Sequence, residues 1–173
     1  MPTNDHYKKS VELLNQGKFN DALKIAENIA DDAFRAAIYV DAGFGAQKAS
    51  KIRQGVELFE LLLLLNQNAL PFTKSSILYN AANGYYSLYK LKRLKGKKVS
   101  PPSNNDLKAA KKLYRVCVAS LENDTKEFES QVWVNYGNCL AQLGRYVEAI
   151  ESYHKALKAE PKKAWLLAIW VSN

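Results

Sequence analysis

Apolar residues return every three or four positions along almost the whole chain, which is the spacing of an α-helix with one buried stripe. The pattern predicts eight helices, at about residues 5–16, 19–31, 33–48, 51–66, 72–94, 105–122, 127–143 and 146–159. The interruptions suit helix ends. Asn15-Gln16-Gly17 closes the first helix, with Gly free to take the left-handed conformation. Asn66 to Pro71 closes the fourth, Gly144 the seventh and Pro161 the eighth. Pro101-Pro102 sits in the longest loop, Gly96 to Asn105, and Asn105 or Asp106 can cap the helix that follows. Eight helices in short antiparallel pairs predict one all-α repeat array.

Composition narrows this further. The 173 residues are 47% hydrophobic and 24% charged, ordinary for a globular chain long enough to bury a continuous core. Gly 8 and Pro 5 are too few for an all-β fold with many tight turns. Two Cys and two His cannot build a disulfide scaffold, nor a closed zinc site unless carboxylates join, so no cofactor and no metal are expected. The polar stretch Met1 to Tyr7 lacks the apolar run of a secretory signal. Leu61 to Leu65 and Ala164 to Val171 are too short to span a bilayer, which needs about 20 apolar residues. The expectation is a cytoplasmic protein without membrane contact. A net charge of +8 favours acidic partners without naming one.

A repeat is clearest near the C-terminus. It reads Trp133, Tyr136-Gly137, Leu140, Gly144, Tyr146, Ala149, Tyr153, Ala156 and Pro161. Gly137, Ala149 and Ala156 are small where two helices of a hairpin must approach. Trp133, Leu140, Tyr146 and Tyr153 are large enough to fill the gaps between. This unit resembles the tetratricopeptide repeat (TPR) family, and the resemblance implies a right-handed superhelix of about four helix pairs. The units fall at about 3–34, 36–69, 75–122 with an insertion around 91–104, and 130–163. Gly17 to Leu23 echoes Gly144 to Ile150, although the helix before Gly17 lacks the small residue. The second unit places Gly43 and Gly55 at a close approach, with Phe59 and Leu62 packing. The third places Ala81, Ala82, Ala110, Tyr114 and Cys117 on the packing face. Tyr79-Asn80, Asn83-Gly84-Tyr85 and Asn135 to Leu140 also look like bacterial TPR proteins that carry a C-terminal HEPN domain, a helical domain often associated with RNA cleavage. No such domain fits in these residues, and neither His6 nor His154 has the spacing of its Arg-to-His motif.

The resemblance implies that first helices line a concave groove. It places Tyr79, Asn80, Asn83, Tyr86, Gln131, Val134, Asn135, Asn138 and Gln142 on or near that face. Each Asn pair is spaced i, i+3 and shares one helical face. An Asn amide both donates and accepts, so such a row can hold an extended peptide backbone, or it can bridge adjacent helices inside the array. Lys48 alone does not complete a carboxylate clamp. A basic cluster, Lys90, Lys92, Arg93, Lys95, Lys97 and Lys98, ends a helix and enters a loop, where it can meet RNA or an acidic protein or stand solvated. Tyr79, Tyr85, Tyr86 and Tyr89 at helical spacing read as packing residues. Cys117 and Cys139 read as small buried hydrophobes. No nucleophile–base pair, phosphate loop or metal spacing is present, so the reading is a non-catalytic module that binds a protein or peptide. Its alternative is an RNA-associated module of a HEPN-type nuclease or defence system.

The last residues break the pattern. After Pro161 a new repeat or a polar cap is due, and Lys162-Lys163 is followed instead by apolar residues that include Trp165 and Trp170. Either a base lost in the Lys162-Lys163 codons or a genuine short protein with an apolar terminal helix accounts for this, and the former is the expectation. Restoring the lost base can put a Leu-Gly pair one repeat length after Tyr136-Gly137. The expectation is a truncated reading frame whose residues 164–173 pack only partly, stay exposed at Trp165 or Trp170, and favour self-association.

Overall fold

The computed structural model describes residues 2–48, 51–65, 70, 72–95 and 100–163. Among these lie eight α-helices: α1 (Pro2–Asn15), α2 (Phe19–Ala26), α3 (Asp32–Lys48), α4 (Ile52–Leu62), α5 (Lys74–Leu94), α6 (Asn105–Val118), α7 (Lys126–Gln142) and α8 (Tyr146–Ala159). Short 3-10 turns occupy Pro101–Ser103 and Pro161–Lys163. The helices pack as pairs, α1 with α2, α3 with α4, α5 with α6 and α7 with α8, and each pair packs on the next. The fold is an all-α array of antiparallel helix pairs. Residues 164–173, with both Trp165 and Trp170, lie outside the described residues.

Local chemistry sets the boundaries. Thr73, Asn104 and Thr125 each accept a hydrogen bond from a backbone N–H three residues on, which satisfies a first-turn donor of α5, α6 and α7. The cap of α6 is thus Asn104, not Asn105 or Asp106, and Asp106 is released for another use. Gly17 and Gly144 take φ of 70° and 76° at the turns inside the first and last pairs.

One register runs through all four pairs. A small residue stands in the first helix: Ser10, Gly43, Ala82, Gly137. A second stands early in the partner helix: Ala22, Gly55, Ala110, Ala149. Four residues on come Ala26, Phe59, Tyr114 and Tyr153, and three further come Ile29, Leu62, Cys117 and Ala156. All sixteen residues are buried. A Cβ on Gly55 would stand 2.7 Å from the Gly43 carbonyl oxygen, and one on Gly137 would stand 2.6 Å from the Tyr153 ring. The first pair does carry its small residue. Ser10 is fully buried, and its hydroxyl donates to the Ala22 carbonyl at 3.2 Å. Periodicity alone missed it because Ser reads as a polar surface residue until its hydroxyl is matched to a backbone acceptor.

The same register locates the contact between pairs. Two residues beyond the small position stand Gly45, Gly84 and Cys139. A Cβ on Gly45 would meet Phe19 of the preceding pair at 2.6 Å, and one on Gly84 would meet Val56 at 2.3 Å. Cys139 lies close enough to donate its thiol to the Leu107 carbonyl at 3.7 Å. At the first helix, the positions that face a preceding pair elsewhere hold Asp5, His6, Lys9 and Glu12. At the last, Tyr146, Val147 and Ile150 of α8 stand 60%, 72% and 43% exposed. Tyr146 therefore does not fill the hairpin as the repeat pattern implied; its equivalent Phe19 is covered by the following pair.

Gly137→Leu should lower stability by about 1–3 kcal/mol, because a bulky side chain must displace the Tyr153 ring from a closed packing site. Thermal unfolding followed by circular dichroism checks this, and an unchanged melting temperature would count against the register.

Candidate functional site

The polar row expected on the first helices sits where α5 and α7 lie side by side, and most of its hydrogen bonding turns inward. Asn135 donates to the Tyr79 hydroxyl at 2.8 Å and to Asn83 Oδ1 at 3.1 Å. Asn83 Oδ1 also accepts from the Tyr114 hydroxyl at 2.5 Å, and Asn138 Oδ1 accepts from the Tyr153 hydroxyl at 2.9 Å. Asn83 and Asn138 occupy the same register position, as do Tyr114 and Tyr153, so this Asn–Tyr bond is a repeated element that joins the two helices of a pair. Asn80 donates to the Ser76 carbonyl of its own helix at 2.9 Å. Gln131 lies exposed on α7, close to Tyr79, and Val134 beside it is half-buried. Of the two roles open to the Asn residues, internal bridging describes Asn83, Asn135 and Asn138. Desolvation explains why each buried tyrosine hydroxyl needs such a partner. It raises the pKa of Tyr79, carries that of Tyr153 to about 12 and raises that of Tyr114 well above its ordinary value.

Farther along, the polar row runs into the basic cluster. Gln142 Oε1 accepts from Arg93 Nη1 at 2.7 Å and from the buried Tyr89 hydroxyl at 3.2 Å. Lys90 Nζ lies 5.9 Å from the Tyr86 ring centroid, and the Arg93 guanidinium 6.0 Å from that of Tyr89. Tyr86 and Tyr89 stack at 6.3 Å, and burial lifts the Tyr86 hydroxyl to about 12. Lys90, Arg93 and the exposed Leu94 line a depression of about 220 Å³. Tyr86, Lys90, Arg93 and Gln142 therefore form one surface.

The basic cluster itself does not. Lys92 turns to the other side of α5, where it pairs with Asp106 of α6. Arg53 of α4 reaches the same carboxylate at 2.8 Å. Asp106 is 5% exposed at its side chain, while Arg53 and Lys92 remain 50% and 41% exposed. Lys95 joins Lys92 on this second face. Lys97 and Lys98 lie outside the described residues. The sequence offers Asp106 only as a possible cap for α6, a sufficient local explanation for an acid at a helix start. The pairing with Arg53, fifty-three residues away, is not visible in any local pattern.

The remaining expectations resolve simply. Tyr85 donates to Glu60 at 2.8 Å. Trp133 is half-buried with Lys155 Nζ 4.4 Å from its ring centroid. His154 is exposed and His6 half-buried. Among the described residues no group of three or more His, Cys, Asp or Glu could hold a metal ion, and no helix is long and apolar enough to cross a membrane. Burial pushes the Cys117 and Cys139 thiols up to about 12.

The family model of the tetratricopeptide repeat matches residues 130–163. This segment is a tetratricopeptide repeat. The register it shares with the other three pairs makes the chain a TPR-like array. The crystal structure of MamA superposes with a TM-score of 0.61 at 16% identity, covering 94% of this chain and 80% of that one. A second crystal structure of the MamA protein gives 0.60 at 16% identity, covering 94% and 75%. At that identity the likeness is one of fold. No curated protein matches the sequence. The likeness to HEPN-bearing TPR proteins finds no support among these matches.

Asn138→Ala should destabilise the last TPR pair by about 1–2 kcal/mol, since it removes the acceptor of a half-buried tyrosine hydroxyl. Denaturant unfolding at fixed pH checks it. Cys117 and Cys139 should react with a thiol reagent at pH 8 far more slowly than free cysteine, and at full speed in denaturant. Because the folded thiols ionise near 12 and the unfolded ones near 9, their contribution to stability is complete below pH 9 and declines as pH rises toward 12.

Proposed function

We propose that this chain is a non-catalytic protein-interaction module whose ligand is a segment of another protein laid across α5 and α7. The observation that carries the reading is the meeting of Tyr86, Lys90, Arg93 and Gln142 on one face. The half-buried Tyr86 ring supplies contact area there, and Lys90 and Arg93 lie over the Tyr86 and Tyr89 rings with Gln142 fixed between Arg93 and Tyr89. Behind it the Tyr79–Asn83–Asn135 network makes the two helices a rigid platform. A platform fixed in advance lowers the ordering cost of binding. The interior amides thus support the site from beneath, and the ligand contacts fall to the residues around them.

TPR-like arrays generally serve as scaffolds for protein contact, which agrees with this reading. The described basic residues divide between two sides of α5, which favours the peptide reading over an RNA contact along one cationic strip.

The test is selection of peptides from a displayed random library on the wild-type protein, followed by affinity measurement on Tyr86→Ala/Arg93→Ala. Selected peptides should bind the variant at least about tenfold more weakly, the loss expected when an aromatic and an Arg anchor are removed together. Failure to enrich any peptide, or equal affinity for the variant, refutes the reading. Binding of single-stranded RNA in preference to the peptides, with a steep loss on added salt, replaces it with the RNA reading.

A further inference from the structure

The helix α5 is longer than the repeat requires. The first helices α3 and α7 end at Lys48 and Gln142, five residues beyond their small positions Gly43 and Gly137. In α5 the small position is Ala82 and the helix ends at Leu94, twelve residues beyond. The surplus is two helical turns, about 10 Å of helix. It belongs to an insertion between the two small residues of the third pair, which are twelve apart in the other pairs and twenty-eight apart between Ala82 and Ala110. Repeat packing does not use these turns in full, and they form a wall.

On the side away from Lys90 and Arg93, this wall faces the start of α4. Between them lies a groove of about 650 Å³, within the range of small-ligand and peptide sites. Ile52, Leu88 and Leu91 give it an apolar floor, and Lys51, Arg53, Lys92 and Lys95 surround it with positive charge. Glu57 is the single acid among the described lining residues. Two of the four cations are held in place. The buried Asp106 carboxylate takes one donor from Arg53 and one from Lys92, and both heads stay about half exposed. A guanidinium has five N–H donors and an ammonium three, so each keeps donors for a second partner. Lys51 and Lys95 stand exposed at the rim.

We propose that this groove binds an acidic segment of a partner protein, carboxylates meeting the cations and an apolar side chain resting on Ile52, Leu88 and Leu91. Charge complementarity selects the occupant: three more cations than acids line the groove, and the one buried acid behind it is already engaged. The floor favours a peptide over a nucleic acid. Among the described residues no aromatic ring lines the groove, and single-stranded nucleic acids rely on such rings for stacking. Asp106 acts as a positioning residue that holds the two inner cations toward the ligand. The site is separate from the α5–α7 face, because its residues lie on the other side of α5.

The experiment is fluorescence anisotropy with a short labelled peptide of alternating Glu and Leu, its Gln-for-Glu counterpart and a single-stranded RNA of similar length. The Glu peptide should bind and the Gln peptide should not. Lys51→Glu/Lys95→Glu should weaken the Glu peptide at least about tenfold, as expected when two attractive rim charges become repulsive. The milder Lys51→Gln/Lys95→Gln should weaken it by a smaller factor. Tyr86→Ala/Arg93→Ala should leave it unchanged, which separates this groove from the face proposed above. Equal binding of the Gln peptide, undiminished binding to the charge-reversed variant, or tighter binding of the RNA overturns the proposal.

Discussion

Everything in this array depends on how closely two helices of a pair can approach. Ser10 against Ala22 and Gly43 against Gly55 are contacts in which neither side carries bulk, and Ala82 with Ala110 and Gly137 with Ala149 are the small buried residues at the same register positions. With the axes brought together there, the larger residues one turn on, Phe59, Tyr114 and Tyr153, are forced across onto the facing helix and become the core. Each buried ring of this kind contributes on the order of 2–3 kcal/mol. Where the ring carries a hydroxyl, burial creates a new demand, and Asn83 and Asn138 meet it. The amides of the first helices are therefore a consequence of close packing.

The helix count and the starts of α2 to α8 were legible in the sequence because they depend on local signals, apolar spacing and the two turn glycines; α2, α4 and α6 stop at Ala26, Leu62 and Val118, four or five residues before apolar spacing alone would end them. The clearest repeat was legible for the same reason, since its small and large residues alternate at fixed short distances. The fate of Ser10 was not legible, because a serine's polarity says nothing of whether a carbonyl waits 3.2 Å away. Nor was the fate of the basic cluster. Six basic residues around one helix end look like one patch until the helix turns Lys90 and Arg93 one way and Lys92 and Lys95 the other. Asp106 is the extreme case, with partners on two other helices and the nearer of them fourteen residues away.

The insertion in the third pair shows how a repeat fold acquires a particular surface. Additional residues between Ala82 and Ala110 leave the register on either side untouched, because the contacts that define it lie outside the loop they extend. The added turns of α5 separate two charged faces and bring Tyr89, fully buried, against Gln142 of the next pair. A part of the chain that packing does not demand is thus the part that differs most from a plain repeat. Loop-borne additions are where repeat arrays commonly gain binding surface.

The two ends of the array are not equivalent, and this gives the molecule a direction. At α1 the stacking positions hold Asp5, His6, Lys9 and Glu12, so a neighbour placed there would have to strip water from four polar side chains. At α8 the corresponding surface is Tyr146, Val147 and Ile150, which would gain from being covered. Covering the described face of α8 is therefore favourable where covering that of α1 is costly.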